Sequence, residues 1–156
     1  YITRIKEIRN RIPDCAISQD MITGFCGETE EEHQDTLSLM EYVKYDFGFM
    51  FAYSKRPGTP AGKNMEDDVP NEVKKRRLND IIQLQQKHSL YRTKQFVGKT
   101  VEVLIEGTSK KSAAHWKGRN SQNVVVVFPK GDEKNGDFVN IYVEDCTSAT
   151  LIGKKI

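Results

Sequence analysis

Gly24-Phe-Cys-Gly-Glu-Thr29 follows the apolar-leaning stretch Ile17-Ser-Gln-Asp-Met-Ile22 and leads directly into Glu30-Glu-Glu32. A strand, a glycine turn and an acidic helix start succeed one another there. That is the order in which a parallel α/β sheet presents a loop to a ligand at the carboxyl ends of its strands. Thr29-Glu-Glu-Glu32 is a capping-box pattern, a hydroxyl at the N-cap with a carboxylate three residues later. The helix it opens is expected to run to about Lys44, turning Leu37, Met40 and Val43 toward a core. Phe47-Gly-Phe-Met-Phe-Ala-Tyr53 comes next, nearly continuously apolar, as a strand covered on both faces should be. Strand, helix and strand at this length predict a βαβ unit with a right-handed crossover.

Working outward, Ile5, Ile8 and Ile12 stand at helical spacing over residues 3–11, and Pro13-Asp14 stops that helix. Residues 15–22 are expected to be a short strand. Residues 55–69 are rich in Pro, Gly and charge and predict a surface connector. Pro70 suits the first turn of a further helix, which carries Leu78, Ile81, Ile82 and Leu84 to roughly Leu90. Composition changes at Phe96. Residues 101–105, 123–128 and 138–143 are β-branched runs separated by turn residues, and 148–152 could add another. They predict a small antiparallel barrel in the style of an oligonucleotide-binding fold. The organisation expected is an α/β part over 1–70, a linking helix over 71–95 and an all-β barrel over 96–156.

The 156 residues carry a net charge of only +2, but the charge is unevenly placed. Residues 1–70 hold 8 Lys/Arg against 13 Asp/Glu, residues 71–95 hold 7 against 2, and residues 96–156 hold 9 against 7. An anionic partner is therefore expected at the second half. The run Lys74-Lys-Arg-Arg77 by itself predicts a solvated helix face. Three widely spaced cysteines, Cys15, Cys26 and Cys146, make neither a disulfide framework nor a zinc site and predict reduced thiols in a cytoplasmic protein. No apolar run approaches the ~20 residues of a membrane helix, and no leader pattern is present. The opening Tyr1, already inside a helical pattern, predicts a fragment or processed product.

Several motifs in order carry a resemblance. Asp20-x-Ile22-x-Gly24-Phe-Cys-Gly-Glu-Thr29 resembles the fifth-strand motif of radical S-adenosylmethionine enzymes. Tyr53-Ser-x-Arg-Pro-Gly-Thr-Pro-Ala61, Asp68-Val-Pro70 and Lys75-x-Arg-Leu78 resemble its continuation in methylthiotransferases. Glu106-Gly-Thr-Ser-Lys-Lys-Ser112, with Gly118-Arg119 and Asn123, resembles their carboxyl-terminal TRAM barrel. Arg56-Pro57 is similar to the branch that adds a methylthio group to isopentenyl-adenosine beside the anticodon of tRNA. Cys26 departs from the family, which usually has Pro there. The resemblance implies the last βαβ unit of a radical-enzyme partial barrel followed by a TRAM domain. It also implies S-adenosylmethionine and two iron–sulfur clusters in a full-length parent, and tRNA, through its anticodon arm, as partner. The chain contains no Cys-x-x-x-Cys-x-x-Cys, so it is not expected to hold a cluster or to be active alone.

The same resemblance sets the candidate sites. Ile22 would cover an adenine face, and Gly24 would let backbone approach the cofactor. Tyr53 and Ser54 end the second strand, either at the ligand-facing edge or with Tyr53 as core. In the barrel, Lys110, Lys111, Lys117 and Arg119 are expected at RNA phosphates, with Trp116 in a loop stacking on a base. The bland alternative is a solubilising turn. A two-strand piece without flanking strands should leave the strand at 47–53 partly uncovered and prone to self-association. The alternative to an enzyme fragment is a stand-alone RNA-binding module on an inert α/β scaffold.

Overall fold

A computed structural model describes residues 1–156. In chain order the elements are α1 (Ile2–Arg11), β1 (Ser18–Thr23), α2 (Glu30–Val43), β2 (Phe47–Ala52), α3 (Pro60–Asn64), α4 (Asn71–Lys94), β3 (Thr100–Thr108), β4 (His115–Asn120), β5 (Val125–Pro129), β6 (Phe138–Cys146) and β7 (Thr150–Lys155). They fall into two units, residues 17–88 and residues 1–16 with 89–156. No helix is long and apolar enough to cross a membrane.

In the unit of residues 17–88, β1 and β2 pair in parallel, from Ser18 beside Phe47 to Thr23 beside Ala52, with α2 as the crossover. The capping box is formed in full. The Thr29 hydroxyl accepts from the Glu32 amide, and the Glu32 carboxylate accepts from the Thr29 amide at 2.8 Å. Met40 and Val43 are completely buried, as their spacing requires, and Lys44 closes the helix in the left-handed region at φ 49°. The β2 strand is not covered on both faces as its apolar run suggested, but is partly uncovered, as expected of a two-strand piece without flanking strands. It is covered on one face only: Phe49 is 60% exposed and Phe51 55%. In a two-stranded sheet the register places Ile22, 58% exposed, beside Phe51 on that open face.

Helix α4 departs further. Of the expected core positions only Ile81 is fully buried, while Leu78, Ile82 and Leu84 are half-buried. The buried stripe is Lys74, Arg77, Ile81, Gln85 and His88, recurring every three or four residues and written mostly in polar side chains. Their partners explain it. Arg76 and Arg77 meet the Glu30 carboxylate, His33 Nε2 lies 3.3 Å from Asp80 Oδ2, and Glu41 takes Lys87 at 2.9 Å and His88 at 3.0 Å. Partner numbers rise together, so α2 and α4 lie side by side and run the same way. Lys74-Lys-Arg-Arg77 is thus a solvated face only at Lys75 and Arg76. Lys74 and Arg77 are each 4% exposed, and all four side chains are in ion pairs. The connector also contains a short helix that composition hid, α3, capped by the Thr59 hydroxyl on the Gly62 amide.

In the other unit, five strands close a barrel in the order β3-β4-β5-β7-β6. Alternate residues point inward, and Val103, Ile105, Val126, Phe128, Val139, Ile141, Val143 and Leu151 form the core. The barrel is not wholly antiparallel, since β5 and β7 pair in parallel through Val125–Val127 and Thr150–Ile152. Strand β4 was hidden in the sequence because His115-Trp-Lys-Gly-Arg-Asn120 lacks β-branched residues. It is held by backbone pairing to β3 and β5 on either side. Gly118 faces inward on it, where a Cβ would collide with the Leu104 carbonyl of β3. Thr93, at the end of α4, donates its hydroxyl to the Thr147 carbonyl at 2.8 Å in the β6–β7 turn.

Two outcomes follow from this packing. Phe128→Ala empties the centre of the barrel core and should cost about 3–5 kcal/mol in a urea unfolding curve. The second concerns acid. Hydrogen bonds from Arg76, then Gln34, outweigh the opposing effect of burial and hold the Glu30 carboxyl at about 2 against an ordinary 4.5. A carboxyl depressed by folding contributes stability above its unfolded value and loses that contribution as pH falls through the folded one. The thermal midpoint of Glu30→Gln should therefore fall less steeply than that of the parent between pH 4.5 and 2, as measured by circular dichroism.

Candidate functional site

The turn after β1 is built around one carboxylate. Gly24 takes φ +71° and Gly27 φ +78°, which let the chain reverse between strand and helix. Glu28 then folds back. Its Oε2 accepts from the Gly24 amide at 2.5 Å and the Thr23 hydroxyl at 3.4 Å. Arg77 completes the arrangement, its Nη1 donating to Glu28 Oε2 at 2.8 Å and to the Glu28 carbonyl at 2.9 Å. The Gly27 amide is taken by Asp68 Oδ1 at 2.7 Å, which ties the connector to the same turn.

Three of the four sequence-nominated residues gather here. Ile22 lies on the open sheet face, its side chain in register with Phe51. Gly24 is buried, and the room that its missing Cβ leaves is filled by the stem of Lys74. The glycine thus has a packing reason within the chain, separate from any ligand. The Tyr53 amide donates to the Thr23 carbonyl at 2.8 Å, extending the β1–β2 ladder by one rung. The Tyr53 ring meets Phe25 edge-on at 4.9 Å and lies 5.3 Å from the Lys74 ammonium, which is paired with Asp67. A hydrogen bond with the Cys26 thiol, the largest cause, pushes the Tyr53 hydroxyl above its ordinary value. Ser54 follows, exposed. Lys74, Arg77 and Asp67 were not nominated. Their only signal was an excess of basic residues in one stretch answering an excess of acidic residues in another.

The barrel candidates separate into two kinds. Lys110 and Lys111 are exposed on the β3–β4 loop, with Ser112 Oγ 2.8 Å from His115 Nδ1 at its far end. Lys117 and Arg119 point outward from β4, and both reach one carboxylate, Glu106, at 3.2 Å. Asn123, in the left-handed region at φ 63°, offers its carbonyl and its side-chain oxygen to Arg119. Trp116 is not in a loop. It stands on β4 between Thr108 and Phe128, half-buried and packed against the core. The Lys130 ammonium sits 4.3 Å from the centre of its ring and donates to the Thr108 hydroxyl at 2.8 Å. Lys130 carries no such signal, being separated from the β3–β4 loop by two strands in sequence. No three His, Cys, Asp or Glu side chains are placed to hold a metal ion.

Residues 94–156 match the model of the TRAM domain. The whole chain is 62% identical to a protein of Christiangramia forsetii named tRNA-2-methylthio-N(6)-dimethylallyladenosine synthase. It is 59% identical to the protein of that name from Flavobacterium johnsoniae and 53% identical to that from Chloroherpeton thalassium. The chain spans about a third of the length of these relatives, 32% of the first two and 35% of the third. The chain is thus similar over every residue to about a third of the length of these synthases, and residues 94–156 of it form a TRAM domain.

Proposed function

We propose that the full-length protein adds a methylthio group to isopentenyl-adenosine beside the anticodon of cytoplasmic tRNA, using radical chemistry. The observation that carries this reading is the 62% and 59% identity to synthases of that name over all 156 residues. Within it, residues 17–88 contribute the last βαβ unit of a partial barrel and part of the wall facing S-adenosylmethionine. The residues fit that role. Ile22 and Phe51 present exposed apolar side chains in register at the carboxyl ends of two parallel strands, where such sheets meet their ligands. They would cover the adenine face and keep water from it. Tyr53 and Ser54 stand at the end of the same strand pair. Bound there, S-adenosylmethionine would supply the radical, and a second S-adenosylmethionine would supply the methyl group.

The iron–sulfur clusters that the family implies need thiolates. Cys15, Cys26 and Cys146 are not assembled with other donors, so no step is assigned to a cluster on these residues. The barrel's part is tRNA binding. Lys110, Lys111 and Lys130 carry no carboxylate partner, while Lys117 and Arg119 share one between them. That leaves an outward surface of positive sign suited to phosphates. Trp116, held by the core and by Lys130, fixes the root of this surface. It would meet a base only through the part of its ring that remains exposed.

Two measurements on the full-length protein test the reading. Ile22→Asp sets a carboxylate against the adenine and should weaken S-adenosylmethionine binding by at least about tenfold in equilibrium dialysis. Unchanged binding removes β1 from the cofactor wall. Lys110→Ala with Lys111→Ala should reduce the slope of log affinity for the anticodon arm against log salt by about 1.4, two cations at ~0.7 each. A slope equal to the parent's places the RNA elsewhere.

A further inference from the structure

Arg77 is, with Lys74, one of two deeply embedded cations in the turn region, and its position is not one that charge balance alone requires. Its side chain is 5% exposed and that of Glu28 13%, whereas the neighbouring Arg76–Glu30 pair is about half exposed on each side. A guanidinium fork presents donors in a fixed plane. Here a single nitrogen holds both the side chain and the main-chain carbonyl of one residue, Glu28, and the other terminal nitrogen reaches Glu30 at 3.3 Å. The Glu28 oxygen so held is the one that accepts from the Gly24 amide and the Thr23 hydroxyl. The order of contact is therefore Arg77, then Glu28, then the backbone of Thr23 and Gly24, then Ile22 by direct chain continuity. Lys74, one turn earlier on α4, fills the space above the Gly24 Cα and lies over the Tyr53 ring. One helix face thus sets the carboxyl ends of both strands.

We infer that Arg77 is a positioning residue for S-adenosylmethionine binding: acting through Glu28, it fixes the Thr23–Gly24 backbone and so the placement of Ile22. The inference rests on the proposal that Ile22 lines the cofactor wall. A lysine cannot reproduce the arrangement. Its single nitrogen could meet Glu28, but it lacks the second terminal nitrogen that braces the guanidinium on Glu30 while the first holds the Glu28 carbonyl and carboxylate. With the carboxylate free to swing toward water, the Gly24 amide loses its acceptor and the turn widens its range of conformations.

The test uses the full-length protein, with Arg77→Lys as the main variant and Ile22→Ala as the reference. Three properties are measured: S-adenosylmethionine affinity by calorimetry, tRNA affinity by filter binding, and amide hydrogen exchange of the peptide spanning Thr23 to Glu28. The expected result for Arg77→Lys is a thermal midpoint near the parent's and faster exchange in that peptide. S-adenosylmethionine affinity should fall roughly tenfold, the usual size when a group that orients a binding residue is removed, with tRNA affinity unchanged. If Arg77→Lys binds S-adenosylmethionine like the parent while Ile22→Ala binds it more weakly, Arg77 is structural only and the cofactor reading stands. If neither variant changes that affinity, the cofactor reading of the turn falls and the inference with it. Should Arg77→Lys fail to fold, the near-isosteric Glu28→Gln takes its place: weaker S-adenosylmethionine binding at unchanged tRNA affinity supports the inference, and parent-like binding overturns it.

Discussion

The grip of Arg77 on Glu28 is the constraint from which the α/β unit follows. Two nearly buried opposite charges stabilise a structure only if their geometry is good and their remaining lone pairs are satisfied. Here the carboxylate has three donors, the Gly24 amide, the Thr23 hydroxyl and the guanidinium. Removing any one partner leaves the others desolvated without compensation. The pair therefore fixes the approach of α4 to the start of α2, and the contacts that follow along both helices keep step with it: Glu30 with Arg76, His33 with Asp80, Glu41 with His88. Three acidic residues in the first turn of α2 would already favour its amino terminus through the helix dipole. The arginines convert that general preference into one register.

This also answers a question that charge counting posed. The acidic excess of residues 1–70 and the basic excess of residues 71–95 suggested an anionic partner for the second stretch. The two excesses largely meet one another across α2, the turn and α4. In the barrel, Lys110, Lys111 and Lys130 carry no carboxylate partner, although that stretch, at 9 against 7, has the less conspicuous balance. Net charge along a sequence is thus a poor guide to where a surface field is, because folding cancels charges between segments distant in sequence.

What was legible and what was not divides along the same physical line. The capping box of α2, the apolar spacing of Met40 and Val43, and the glycine turn were legible because each is a local pattern with one structural solution. The inward face of α4 was not, since Arg77, Gln85 and His88 are buried for the sake of partners forty or more residues away, and Lys74 for Asp67 and the Gly24 turn. Apolar periodicity is blind to a stripe of that kind. Strand β4 was missed because Trp116, Gly118 and Asn120 face the interior without a β-branched residue among them. The parallel pairing of β5 with β7 was missed because chain order gives no sign of which edges a closing barrel will join. Ile22 and Gly24 were rightly brought to one turn, but the residues that hold that turn were invisible from its own sequence.

The open face of β1 and β2 follows from the same arrangement. A two-stranded sheet is marginal by itself. This one is held by α2, α4 and the turn, which bury Thr23, Met40 and Val43 and leave the opposite face uncovered. Ile22, Phe49 and Phe51 lie together on that face, each more than half exposed. A soluble fold seldom leaves three large apolar side chains adjacent on a strand pair without a use for them. Charged replacements there would satisfy water at no cost to the covered side, since alternate residues of a strand point oppositely. Their apolar character is therefore not required by anything within residues 17–88. It is the expected composition of a face that meets a ligand or further chain, and relatives three times the length of this chain have further chain to bring to it.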